Sequence, residues 1–125
     1  MSPERRRISS GSPYEARFGY SRAIVDGDRC WVAGTTDAGA EGVSQHPGDA
    51  AGQARGAWAI VERALGEAGF ELADVVRTRM YVVSMADGVA VASVHGEIFG
   101  DVRPASTIVE IGALIEPSML VEVEA

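Results

Sequence analysis

The run from Arg22 to Ala33 limits the possible folds more than any other segment. Two β-prone stretches, Arg22–Val25 and Arg29–Ala33, flank Asp26-Gly27-Asp28. Glycine supplies the positive φ of a tight type I′ turn, so the run predicts an antiparallel hairpin. The apolar face of such a hairpin must be covered, and a cover follows. From Asp49 to Ala68, Ala50, Ala54, Ala57, Trp58, Val61, Ala64, Leu65 and Ala68 recur at helical spacing. Gln53, Arg55, Glu62, Arg63 and Glu67 fill the other face. This predicts an amphipathic helix capped by Asp49, closed by Gly69 and anchored in the core by Trp58.

Arg6–Ser9 suits a short strand that ends at a Gly11-Ser12-Pro13 break, and Gly34–Gly48 suits a loop. Val75–Val83 alternates: Val76, Thr78, Met80 and Val82 suit a packed face, while Arg77, Arg79, Tyr81 and Val83 suit the other. Asp87–Phe99 predicts a second helix with Val91, Val94, His95, Ile98 and Phe99 on one side. Thr107–Leu114 and Met119–Glu124 predict a closing hairpin about Ile115–Ser118. Strands and helices in this order predict one α+β domain over residues 1–125, a six-stranded mixed sheet with two helices on one face. Two helices cover only one face. The other carries Arg77, Arg79, Tyr81 and glutamates of the last strand, and contact between subunits would cover it.

Composition removes whole classes of function. All eleven basic residues are arginine, and neither lysine nor asparagine occurs. A lysine Schiff base, a pyridoxal-phosphate anchor and a P-loop are therefore excluded, and no cofactor is expected. His46 and His95 stand far apart without a metal-ligand motif, so no metal is expected. The lone Cys30 cannot form an internal disulfide, which makes the cytoplasm the default location. No apolar run approaches the roughly 20 residues of a membrane span, and Arg5, Arg6 and Arg7 lack the apolar stretch of a secretory leader. A formal net charge of −7 argues against a nucleic-acid partner. Arginines of the first strand could lie near Glu110, Glu116, Glu122 and Glu124 in the folded sheet.

Four segments carry a family resemblance. Gly19-Tyr20-Ser21-Arg22-Ala23-Ile24 is similar to Gly-Pro-Tyr-Ser-Gln-Ala-Ile, and Trp31-Val32-Ala33-Gly34-Thr35 to a strand ending in Ser-Gly-Gln. Leu72-Ala73-Asp74-Val75-Val76-Arg77-Thr78 is similar to Leu-Asp-Asp-Val-Val-Lys-Thr. The tail, from Arg103-Pro104-Ala105-Ser106-Thr107 to Leu120-Val121-Glu122-Val123-Glu124-Ala125, is the most specific. Over nearly its whole length the chain resembles the Rid family (YjgF/YER057c/UK114, reactive-intermediate deaminases). The resemblance implies a chorismate-mutase-like fold. It also implies a homotrimer with inward-facing sheets, whose clefts between subunits hold a small-molecule ligand.

It further implies a chemistry, hydrolysis of enamines or imines such as 2-aminoacrylate, in which an arginine fork grips the substrate carboxylate. This chain departs from that pattern. The arginine that follows Pro-Ala in the family is replaced: Pro104-Ala105 is followed by Ser106 and Thr107. The family's serine before glycine is Ala33, and an asparagine of the second helix is Ala92. Glu122 and Tyr20 remain as catalytic candidates. Ala33, Gly34, Ala92, Pro104, Ala105, Ser106 and Thr107 are the candidate ligand-binding positions. Two charge-assisted bonds of roughly 1.5–3 kcal/mol each are missing, or about two to four powers of ten in binding. The expectation is a metabolite-binding protein with little or no 2-aminoacrylate deaminase activity. An imine hydrolase for substrates without the carboxylate is the alternative, and an interaction or chaperone-like protein a third reading.

Several residues have a plain structural reading beside the functional one. Glu122 could pair with Arg77 or Arg79 across the sheet. Tyr20 could be a lid or a packing aromatic, and Arg103 a solvated side chain or a displaced carboxylate binder. Cys30 suits a buried, inert thiol and His95 a packed histidine. Asp37, Glu41 and His46 suit the surface of the long loop. An arginine from elsewhere in the recess would undo the expectation of lost activity.

Overall fold

The computed structural model describes residues 5–125, so Met1–Glu4 of the arginine-bearing start lie outside it. The hairpin forms where expected: β2 (Ala23–Asp26) pairs antiparallel with β3 (Arg29–Val32) around Gly27, whose φ is +65°. β1 (Arg5–Ile8) lies antiparallel on the other edge of β2. The second sheet is centred on β4 (Arg77–Val82), which runs parallel to β5 (Ala105–Glu110) and antiparallel to β6 (Val121–Glu124). A bridge between Thr35 and Val123, with Val32 N–H donating to Ala125 O at 2.9 Å, joins the sheets. The six strands therefore run β1-β2-β3-β6-β4-β5.

The expected closing hairpin is corrected here. β5 and β6 do not pair with each other but flank β4 on opposite sides. Their backbone groups find partners on β4, which is already held against the helices, and the residues between them only reverse the chain.

A third helix was also missed. Gly11-Ser12-Pro13 opens α1 (Pro13–Phe18): Ser12 Oγ accepts from Tyr14 N–H, and proline occupies the first turn. Proline is pre-set for that position, because its missing N–H would be unpaired there anyway.

α2 (Ala50–Glu67) and α3 (Gly88–Phe99) pack together on one side of the sheet. Asp49 caps α2 through Gly52 N–H. Gly69, at φ +88°, ends it, with Phe70 N–H on Leu65 O and Gly69 N–H on Gly66 O. That pair of bonds is a Schellman stop.

Trp58, Val61, Val91, Val94 and Phe99 of the helices meet Ala23, Val25, Met80, Val82, Val121 and Val123 in the core. Gln53 belongs there too, although the helical pattern assigned it to the polar face. Its amide donates to His46 O and Ser118 O and accepts from Leu120 N–H, which ties α2 to the chain entering β6. Val76, assigned to the packed face of β4, precedes the strand and is exposed; Val75 takes the inward position.

Among the described residues, nothing covers the opposite sheet face. Trp31 is 53% exposed and shares that face with Ile24, Arg77 and Arg79, which line one shallow recess with it. Arg79 pairs with Glu124, and Tyr81 donates to the same carboxylate. On β1, Arg5 pairs with Asp26 and Arg6 donates to Ala68 O. Arg5 and Arg6 thus find partners locally, since β2 and β3 stand between β1 and the acidic β6.

Candidate functional site

Val121 and Val123 of β6 are fully buried on the helix side. Strand alternation therefore turns Glu122 to the uncovered side, towards the segment that follows β3. Gly34 lets the Glu122 carboxylate approach closely: a Cβ there would lie 2.8 Å from Glu122 Oε1 and push that carboxylate aside. Tyr20 arrives from α1, which Gly19 ends at φ +77°, and its ring lies over the Arg22 guanidinium, 5.5 Å from the centroid. Tyr20, Arg22, Ala33, Gly34, Thr35 and Glu122 line one recess of about 450 Å³. That volume suits a small molecule.

Arg22, absent from the sequence-based candidates, organises this recess. Only 5% of it is exposed. Its Nη1 donates to Gly34 O at 2.5 Å and to Thr35 Oγ1 at 2.7 Å, and Nη2 donates to Tyr20 Oη at 3.4 Å. Its Nε lies 3.6 Å from Glu15 Oε2 and has no hydrogen-bond partner. A buried charge needs such partners to offset its lost hydration. The sequence held a faint signal, one arginine inside a strand-like run where the resembling family has glutamine.

Two carboxylates flank this cation and respond differently. Burial raises the Glu122 pKa; Arg22 pulls it back and Glu124 pushes it further up, for a net rise. Burial also pushes on Glu15, but hydrogen bonds from Ser10, help from Ser9 and the charge of Arg22 prevail, and its pKa falls. The alternative of an ion pair between Glu122 and Arg77 or Arg79 does not form: Arg79 sits on Glu124. In the register, Glu122 faces Tyr81, and Glu124 faces Arg79.

Ser106 lies elsewhere. It pairs in register with Thr78 of β4 on the exposed edge strand β5, and Thr78 Oγ1 donates to Ser106 Oγ at 2.8 Å. Thr78 is wholly buried and also lies 2.8 Å from His95 Nε2 on α3. His95, half-buried, packs against Trp58 and Phe99, with ring centroids 5.7 and 4.7 Å away, and burial lowers its pKa. Ala92 precedes His95 by three residues, hence on the same side of α3, and is exposed. Ala105 and Thr107 are exposed beside Ser106, with Pro104 half-buried.

The nine candidates thus separate into two groups. Tyr20, Ala33, Gly34 and Glu122 share the recess; Ala92, Pro104, Ala105, Ser106 and Thr107 do not line it. Within one chain, Glu122 and Ser106 stand on strands separated by β4 and point to opposite faces.

Arg103, in a left-handed conformation at φ +53°, is exposed and lines no part of the recess. Cys30 is half-buried, and burial raises its pKa despite nearby Arg6. Asp37 corrects the surface reading of the long loop. It is buried and accepts from Ser44 Oγ, Gln45 N–H and the His46 ring, which close the loop around it. Among the described residues, no three metal-ligating side chains cluster, and no helix is long and apolar enough to cross a membrane.

A mixed sheet backed by two helices, with a glutamate and a tyrosine at a glycine-lined recess, defines a class of small α+β proteins. The sequence profile described as endoribonuclease L-PSP matches residues 11–125, and the chain belongs to that family. A crystal structure from Mycobacterium tuberculosis, a member of the YjgF/YER057c/UK114 family, has a TM-score of 0.88 and 47% identity. That match covers 98% of this chain and 97% of the other. An uncharacterized protein of Streptomyces coelicolor is 39% identical over 95% of this chain and 88% of its own length. The 3-aminoacrylate deaminase RutC of Acinetobacter baylyi is 36% identical over 62% of this chain and 61% of its own.

Proposed function

We propose that this chain binds a small metabolite in clefts between the subunits of a cytoplasmic homotrimer, and that it lacks the usual 2-aminoacrylate deaminase activity. Tyr20, Gly34 and Glu122 of one chain would meet the Ser106 edge of its neighbour. The observation that carries this reading is the division of the candidate site between opposite faces of one sheet. The uncovered face with Trp31, Arg77 and Arg79 supports a closed assembly.

Ser106 cannot supply the charge of an arginine. Arg22 is no substitute, because both Nη1 hydrogens are committed to Gly34 O and Thr35 Oγ1 while Nε faces Glu15. A two-bond fork to a carboxylate would require breaking these contacts. Keto-acid release from freshly generated 2-aminoacrylate tests the reading. The expected result is no turnover above background by the unaltered protein and a gain with Ser106→Arg. Turnover by the unaltered protein at the level of an arginine-bearing relative would overturn it.

A second reading has its own observation. Burial raises the Glu122 pKa above the ordinary carboxylate range, which suits a carboxyl that exchanges protons and favours hydrolysis of an imine without a carboxylate, with Glu122 orienting water and Tyr20 closing the recess.

A further inference from the structure

We propose that Ser106, Thr78 and His95 act as one hydrogen-bond relay through which Ser106 offers either a proton or a lone pair to a neutral polar group of the ligand. The inference rests on the reading that the Ser106 edge completes the cleft, and it names the chemistry that edge accepts: an imine nitrogen, amine or carbonyl rather than a carboxylate.

Three atoms in series, with 2.8 Å at each link, have two consistent proton orders. In one, His95 Nε2–H donates to Thr78, Thr78 donates to Ser106, and the Ser106 hydroxyl hydrogen points to the ligand. In the other, Ser106 donates to Thr78, Thr78 donates to a bare Nε2, and Ser106 offers its lone pairs. Mixed orders leave a hydroxyl without a partner beside the wholly buried Thr78, which is costly. The tautomer of His95 therefore sets what the exposed end presents.

A proton can also pass along the relay. A ligand or water O–H bond breaks as an O–H bond forms at Ser106 Oγ, the Ser106 proton moves to Thr78 Oγ1, and that of Thr78 moves to Nε2. The ring becomes imidazolium while the donor loses one proton, and reversal protonates a departing amine. Trp58 and Phe99 pack against the ring, and burial, the one cause acting on its pKa, disfavours the imidazolium form. Ser106 touches the ligand; Thr78 and His95 are positioning residues.

Nitrogen-15 NMR of the His95 ring in the intact protein reads the relay without any ligand. At rest Thr78 donates to Ser106, the first order; Ser106→Ala removes that acceptor, the Thr78 hydroxyl must then donate to Nε2, and the ring is expected to shift to the Nδ1–H tautomer. In a Thr78→Val background the same substitution is expected to change nothing, and Thr78→Ser is expected to restore the coupling. Folding of each variant is checked by its backbone spectrum. Unchanged ring shifts in a folded Ser106→Ala protein would overturn the proposal.

Hydrolysis of N-benzylidenemethylamine, a neutral imine, tests the cleft reading separately. About tenfold or greater loss of kcat in Ser106→Ala and Thr78→Val, with Thr78→Ser close to the unaltered protein, is the expected result. NMR coupling without turnover would uphold the relay and overturn the hydrolase reading. Turnover insensitive to Thr78→Val would overturn the relay.

Discussion

The two halves of the candidate site are built from opposite materials. Around Glu122, ionised groups are held inside the protein: Arg22 sits between Glu15 and Glu122 and is fixed by Gly34, Thr35 and Tyr20. Around Ser106 no charge is engaged; two hydroxyls and an imidazole hand hydrogen bonds from the core to an exposed strand edge. The charged half has spent its cation on its own carboxylates and backbone. The neutral half can still exchange a proton but cannot hold an anion. A chain assembled this way suits a ligand that is polar without being acidic.

The sharpest way to break the contrast is to remove the charge from the charged half. Arg22→Met leaves Glu15 and Glu122 without their shared cation in a buried setting, and a loss of about 3–5 kcal/mol is expected in urea unfolding. The corresponding cut in the neutral half, Thr78→Val, removes neutral hydrogen bonds and should cost about 1–2 kcal/mol. Equal losses would mean that Arg22 does not hold the charged half together.

A subtler comparison uses pH. The folded-state pKa of Glu122 is raised, so the folded chain holds that proton more tightly than the unfolded chain. Stability from this group falls as pH rises from its ordinary value through the raised one. Glu122→Gln should therefore gain stability over the unaltered protein above that window, and the gain should vanish below it. Glu15 has the opposite sign: its pKa is lowered, so its contribution is present above the ordinary value and fades as pH falls through the lowered one. Glu15→Gln should lose stability at neutral pH. Urea melts across the acid-to-neutral range check both signs.

Much of the fold was legible because periodicity is local. The Asp26-Gly27 turn, the alanine stripe of α2 and the alternation of β4 each state their geometry within a few residues. α1 was legible in principle, since Ser12-Pro13 is a helix start as well as a break. The partners of β5 were not, because parallel pairing across α3 depends on contacts far apart in sequence. At the site, the family likeness located Tyr20, Gly34, Glu122 and Ser106, but strand spacing alone could not assign Glu124 to Arg79 or leave Glu122 to Arg22. Thr78 and His95 looked like packing residues. They are, and the hydrogen bonds between them appear only once β4 and α3 are brought together.

The central claim is that the two halves belong to different chains when they meet, and cross-linking tests it most directly. In a Cys30→Ala background carrying Tyr20→Cys and Ser106→Cys, a short bis-maleimide should join neighbouring chains and give a ladder that stops at three. A 1:1 mixture of the two single-cysteine variants, refolded together, should form cross-linked pairs. Only single-chain bands from folded protein, at concentrations where it is assembled, would contradict a site completed between subunits.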